Sequence, residues 1–266
     1  MISGITYVEA KVFLGTLALT QPRILALCAM LPLFNRQLLP GMLRYAICAA
    51  IGLVLVPALA PRYAVIELGA IELVLLVAKE VFIGLVMGFL VAIPFWIFEA
   101  VGFVVDNQRG ASLGATINPA TGNDSSPLGI LFNQAFMVFF LVGGGFMLML
   151  TMLYDSFRLW DLWDWAPTLR RESVPLMLDQ LGRLLRLTLL FAAPAIISMF
   201  LAEVGLALVS RFAPQLQVFF LAMPIKSALA LLVMVLYMST LFEYAAEATG
   251  HISSALPFLD NQWRAP

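Results

Sequence analysis

The sequence predicts an all-α membrane fold built from hydrophobic helical hairpins with long, kinked helices, and three observations carry that prediction. Apolar residues make up 62% of the chain and charged residues only 12%, against roughly a quarter charged in soluble domains; the mean hydropathy is +0.97. The apolar residues fall into runs of about 20, the length that crosses a hydrocarbon core of about 30 Å as a helix. Between two of the most apolar runs lies a polar, glycine-punctuated stretch, residues 106–127. Lipid cannot accommodate it, because irregular backbone survives at membrane depth only inside protein or beside a watery cavity.

Six candidate spans follow in order: Val12–Phe34, Tyr45–Ala60, Leu68–Val105, Ile130–Leu153, Leu184–Val209 and Val218–Leu241. Ahead of the first, MISGITYVEAKVF carries Glu9 and Lys11 and lacks the basic start and cleavage site of a secretory peptide, so this block is expected to be retained. The second is short. The third holds 38 residues, which as one helix would extend roughly 57 Å at about 1.5 Å per residue, so it must tilt, break or leave the bilayer. Pro94 is the expected break, since it deletes a backbone donor and clashes with the preceding turn.

Also in the third block, Glu80, Gly84 and Gly88 recur every four residues. That spacing places them on one helix face where a neighbour can approach closely, either another subunit or another helix of the same chain. In the fourth block Gly143, Gly144 and Gly145 offer a narrow spot or a hinge, and the methionines of FMLMLTML read as core filling before a deformable constriction. Between Tyr154 and Gly182, Trp160, Trp163 and Trp165 alternate with acids and precede Arg170 and Arg171. That stretch reads as interfacial, an aromatic belt or a surface for a partner. Cys28 and Cys48 lie in apolar runs and read as small buried hydrophobes. A short polar tail starts at Gly250.

Ionisable residues inside apolar runs cost about 2.5 to 3.5 kcal/mol each on insertion scales and therefore face protein or water and find a partner. Glu72, Lys79, Glu80, Glu99, Glu203 and Lys226 fit this description. If the last two spans form a hairpin turning near Ala213, Glu203 and Lys226 differ in height by only about 4.5 Å at 1.5 Å per residue. An ion pair between them is expected, the alternative being two charges on separate aqueous surfaces. Loop arginines divide almost evenly, with Arg36, Arg44, Arg109 and Arg211 on one side against Arg62, Arg158, Arg170, Arg171 and Arg183 on the other. Positive-inside counting therefore leaves the orientation open.

Several functions are disfavoured. A formal charge of −1 and the lack of a basic cluster argue against nucleic acid. Gly110, Ser112 and Gly114 match the G-x-S-x-G pattern of a hydrolase nucleophile elbow, but that elbow needs a strand-to-helix turn and a histidine base, and the only histidine, His251, lies far along the chain. There is no P-loop, no H-E-x-x-H and no Cys/His cluster, so neither enzyme chemistry nor a cofactor or metal is expected. A secondary transporter of a small solute is the principal alternative, although such proteins commonly show matching interruptions in two halves and only one strong interruption is present here.

Three stretches, VGFVVDNQRGAS, NPATGNDSSPLG and RFAPQLQVFFLAMPIKS, together resemble the T subunit of the bacterial type III secretion export apparatus, the SctT family, related to the flagellar export protein FliR. Gln217 stands where such proteins more often have asparagine. The resemblance implies an all-helical subunit that completes a ring of R-type and S-type subunits and forms with them the pore through which unfolded substrates leave the cytoplasm. It implies further partners in U- and V-type subunits, inner rod or needle proteins and the secreted substrates. It also implies a bacterial inner-membrane location, with the assembly held largely above the bilayer on the periplasmic side.

On the same resemblance, residues 1–165 are R-like, 166–183 an interfacial connection, 184–249 an S-like hairpin and 250–266 the polar tail, with residues 106–127 plugging the pore. Carried over by position, Asp106, Gln108, Arg109, Gly110, Asn118 and Pro119 belong to the plug or its anchors. Arg211, Pro214, Gln215, Pro224 and Lys226 belong to the hairpin that positions neighbouring subunits. Gly84 and Gly88 join this second set as subunit-packing positions.

Overall fold

The computed structural model describes residues 7–35, 38–63, 65, 69–111, 126–164, 173–213 and 218–263. Among them are eight α-helices, one short 3₁₀ turn and no strand, so the all-α expectation holds. The helices are α1 (Tyr7–Met30), α2 (Gly41–Leu53), α3 (Val56–Tyr63), α4 (Ala70–Arg109), α5 (Pro127–Val142), α6 (Gly145–Leu159), α7 (Ser173–Phe212) and α8 (Val218–Trp263), with the 3₁₀ turn at Pro32–Phe34. Four of them, α1, α4, α7 and α8, are long and apolar enough to cross a membrane singly. The bent pairs α2–α3 and α5–α6 bring the number to six if each pair is one span, in line with the six apolar blocks.

One expectation about breaks is corrected. Helix α4 runs without interruption through Pro94, where the flanking Val91, Ala92, Ile93 and Phe95 are all buried. Packing and the cost of freeing backbone groups in apolar surroundings outweigh the one lost hydrogen bond. The chain instead breaks between α5 and α6, at the glycine run. There Gly144 takes φ +79°, a left-handed conformation that a residue with a Cβ adopts only with strain. The run therefore acts as a hinge at Gly144, where a Cβ would meet nothing within 4 Å, so that glycine is set by its backbone angle and not by close packing. The residues expected as a polar tail from Gly250 extend α8 as helix to Trp263.

The chain forms two compact units. One comprises Met1–Ala92, Gly145–Leu176 and His251–Pro266, the other Ile93–Gly144 and Met177–Gly250. In the first, α1 lies against the opening half of α4. A Cβ on Gly84 would collide with the carbonyl oxygen of Arg23, and one on Gly88 would come within 3.0 Å of the Leu27 carbonyl oxygen. The face marked by Glu80, Gly84 and Gly88 is thus filled by a helix of the same chain. Its glycines do not form a free surface for another subunit. Met149 and Met152 fill this core, and Cys28 and Cys48 are buried free thiols. Trp160, expected at a membrane interface, is buried instead, while Trp163 is half-buried. Trp165, Arg170 and Arg171 lie outside the described residues.

The second unit has an aromatic core. Phe95 meets Phe136 edge-on with ring centroids 4.8 Å apart, Phe98 stacks on Phe136 at 4.7 Å, and Phe191 of α7 stacks on Tyr244 of α8 at 4.8 Å. Such pairs add to the burial of their own area. Gly102 lets α4 approach the start of α5 so closely that a Cβ there would collide with the backbone of Leu128 and Gly129. This approach brings the two ends of the polar segment together.

Candidate functional site: a clamped loop base and a buried ion cluster

Helix α4 ends by a defined cap. Gly110, at φ +83°, follows the last helical residue; its N–H donates to the Asn107 carbonyl at 3.2 Å, and the Ala111 N–H donates to the Asp106 carbonyl at 3.0 Å. These are the paired 5→2 and 6→1 bonds of a Schellman motif, which satisfy carbonyls that the helix end would leave unpaired. Across the gap, α5 starts with Ser126 as its N-cap, whose Oγ accepts from the Gly129 N–H at 2.8 Å, and with Pro127 at the first helical position.

Asp106 links the two ends. Its side chain is almost wholly buried, and Oδ1 accepts from Arg109 Nε at 2.7 Å. Oδ2 accepts from the Ser126 hydroxyl at 2.6 Å and from the Leu128 N–H at 2.9 Å. One carboxylate therefore neutralises a cation on its own helix, fixes the cap of the next and takes up a free N–H at the positive end of α5. Residues 112–125 leave from and return to this single node. Gln108 sits half-buried on the last turn of α4. Asn118 and Pro119, like Ser112, lie outside the described residues.

The second constellation lies in the first compact unit. Arg23, fully buried, donates from Nε and Nη2 to both oxygens of Glu80 at 2.6 and 2.9 Å, a bidentate pair. It also donates from Nη1 to Ser156 Oγ at 3.0 Å and from Nη2 to the Trp160 carbonyl at 3.1 Å, with its guanidinium 3.9 Å from the Phe157 ring centre. Lys79 Nζ stands 3.0 Å from Glu80 Oε1 and donates to the carbonyls of Asp161, Leu162 and Asp164 at 3.0, 2.8 and 2.8 Å. Arg62 pairs with Asp161. The tryptophan-rich turn after α6 is thus held to α4 and α1 by two buried cations and one buried anion.

Lys79 and Glu80 carry a readable signal as charges in an apolar run, but Arg23 was missed. Its only mark is an arginine following Pro22 inside the first apolar block. Of the remaining candidates, Lys226 Nζ lies 3.4 Å from Glu203 Oε2, so the structure brings that pair together across α7 and α8. Arg211 is exposed in the last turn of α7 and Pro224 is exposed on α8, while Pro214 and Gln215 lie outside the described residues. Glu99 accepts from Asn133 Nδ2 at 2.7 Å, and Glu72 accepts from the Gly69 N–H at the start of α4 at 2.9 Å. No group of three metal-ligating side chains occurs among the described residues.

The sequence profile of the bacterial export proteins, family 1, matches residues 14–252. Yop proteins translocation protein T of Yersinia pestis is 42% identical over 234 residues, covering 88% of this chain and 89% of that protein. Surface presentation of antigens protein SpaR of Salmonella typhimurium is 34% identical over 234 residues, or 88% and 86% of the two chains. On the flagellar side, the biosynthetic protein FliR of Escherichia coli is 25% identical over 235 residues, 88% and 87% of the two.

Proposed function

The chain belongs to the bacterial export proteins of family 1, on the branch of the type III secretion T subunits, and from that premise we propose that it is a structural and gating subunit of the protein export gate. It is a multi-pass inner-membrane component of a secretion apparatus. In the proposed role it joins R-type and S-type subunits to enclose a pore for unfolded substrates, with U- and V-type subunits and inner rod or needle proteins as further neighbours. Residues 1–165 take the R-like place and 184–249 the S-like place, with the assembly held largely on the periplasmic side. It works without catalysis of its own.

The observation that carries this reading is the Asp106 node. A polar segment placed between two of the most apolar stretches of the chain is tied at both ends to one buried carboxylate, and irregular backbone among apolar helices needs protein or a watery lumen around it. A segment with fixed stems can close such a lumen and yield when substrate or other components bias an open state. The low coverage of α8 supports an assembly: most of its apolar stretch within Leu221–Gly250 is not buried within the chain. Deleting residues 112–122 while keeping the Gly110 cap should raise ion leakage through assembled complexes. An unchanged leak in complexes of normal composition would remove the plug.

A further inference from the structure

Glu99 is exposed on α4, in the run IPFWIFEAVGF, with Phe95 and Phe98 buried beside it. Its Oε2 accepts from Asn133 Nδ2 at 2.7 Å. Asn133 is nine-tenths buried, and its Oδ1 has no hydrogen-bond partner among the described residues. Because Oδ1 and Nδ2 share one carbonyl carbon, the orphaned oxygen lies beside the carboxylate. The site therefore combines an exposed carboxylate, with no cation bonded to it among the described residues, and an adjoining acceptor that is buried without a donor. Exposed apolar side chains surround it, with Phe103 one turn further along α4 and Ile130 on α5.

Two deficits coincide here. A carboxylate on an apolar surface is unfavourable against lipid, and an acceptor buried without a donor carries a desolvation cost. Lysine and arginine side chains have donors and no acceptors, so one such group neutralises the carboxylate directly and supplies the donor that the Asn133 amide lacks once that side chain turns toward it. We infer that Glu99 and Asn133 form a socket for a lysine or arginine side chain carried on an apolar helix of a dissimilar neighbouring subunit. This rests on reading the chain as one subunit among unlike ones.

The test uses the full chain in cells that assemble the apparatus. A photoreactive phenylalanine analogue at Phe103 should crosslink to an apolar helix of another subunit with a lysine or arginine within about one turn of the attachment point, identified by peptide mass spectrometry. Glu99→Lys should lower the yield of assembled complex by about 30-fold or more, the low end of what loss of a buried charge pair costs. Glu99→Gln should give a smaller loss, and reversing the partner's cation to glutamate should restore the Glu99→Lys complex. Crosslinks only to lipid or to a second copy of this chain, wild-type yields from both variants, or failure of the charge swap would each overturn the socket. Should dissimilar subunits still co-purify, the export-subunit reading stands without it; if wild-type chain retains none, both readings fall.

Discussion

Within the Arg23–Glu80–Lys79 cluster, the smaller chemical change should do the greater damage. Arg23 and Glu80 are both fully buried, and their bidentate bonds measure 2.6 and 2.9 Å. Breaking a buried pair costs about 3–5 kcal/mol, because the survivor is left uncompensated. In Arg23→Met the survivor is Glu80, which keeps Lys79 Nζ at 3.0 Å, so the loss should fall near the low end. Ser156 is not stranded either, since its hydroxyl still donates to the Leu153 carbonyl at 2.6 Å. In Glu80→Gln the shape is retained, but two buried cations face each other with no anion between them, and the loss should reach about 5 kcal/mol. Unfolding of the purified chain by SDS titration in mixed micelles reads both. The double variant should fall well short of the sum, because each single change removes the same interaction. If Arg23→Met proves as damaging as Glu80→Gln, or both lie within about 0.5 kcal/mol of wild type, the cluster is not the ionic unit its distances describe.

Three further outcomes follow from the geometry. Gly84→Leu should abolish the folded first unit, because even a Cβ collides there with the Arg23 carbonyl, whereas Gly205→Ala, with nothing within 4 Å, should stabilise by about 0.5–1 kcal/mol; the same micelle titration separates them. Gly144→Ala should cost about 1–2 kcal/mol, since φ +79° strains any residue with a Cβ, and Gly144→Asn should recover part of it. Asp106→Ala strands the Ser126 hydroxyl and the Leu128 N–H together and should cost on the order of 1–3 kcal/mol. It should also increase ion leakage through assembled complexes, and a destabilised variant with an unchanged leak would make Asp106 a fold clamp alone.

Much of this architecture was legible from residue order because membrane helices announce themselves by length and apolarity. Glu203 and Lys226 could be matched on paper because a short turn fixes their relative heights. Arg23 could not, since its partner lies in another helix 57 residues away and no local pattern specifies which helices touch. The break in the third block was misplaced for a related reason: a proline removes one hydrogen bond, and whether the helix survives depends on packing that appears only in three dimensions. Gly84 and Gly88 marked a close contact correctly, but spacing on one helix does not say whose surface comes close. Trp160 left the expected interface because its turn is drawn inward by Arg23 and its neighbours by Lys79.

These polar nodes share a logic particular to an apolar chain. Against lipid, one leucine-rich face is scarcely better than another, so burial alone gives helices little reason to choose a partner, and small residues and polar contacts must supply it. Arg23 with Glu80 joins α1 to α4, Asp106 with Ser126 joins α4 to α5, and Lys226 with Glu203 joins α7 to α8. Each pairs segments that hydrophobicity would leave free to slide. Glu99 with Asn133 is the exception: it joins α4 to α5 as well, yet keeps a spare charge and a spare acceptor. A helix register already fixed by Gly102 and Asp106 has no need of that excess. A register still to be fixed, against a helix that this chain does not contain, would need it.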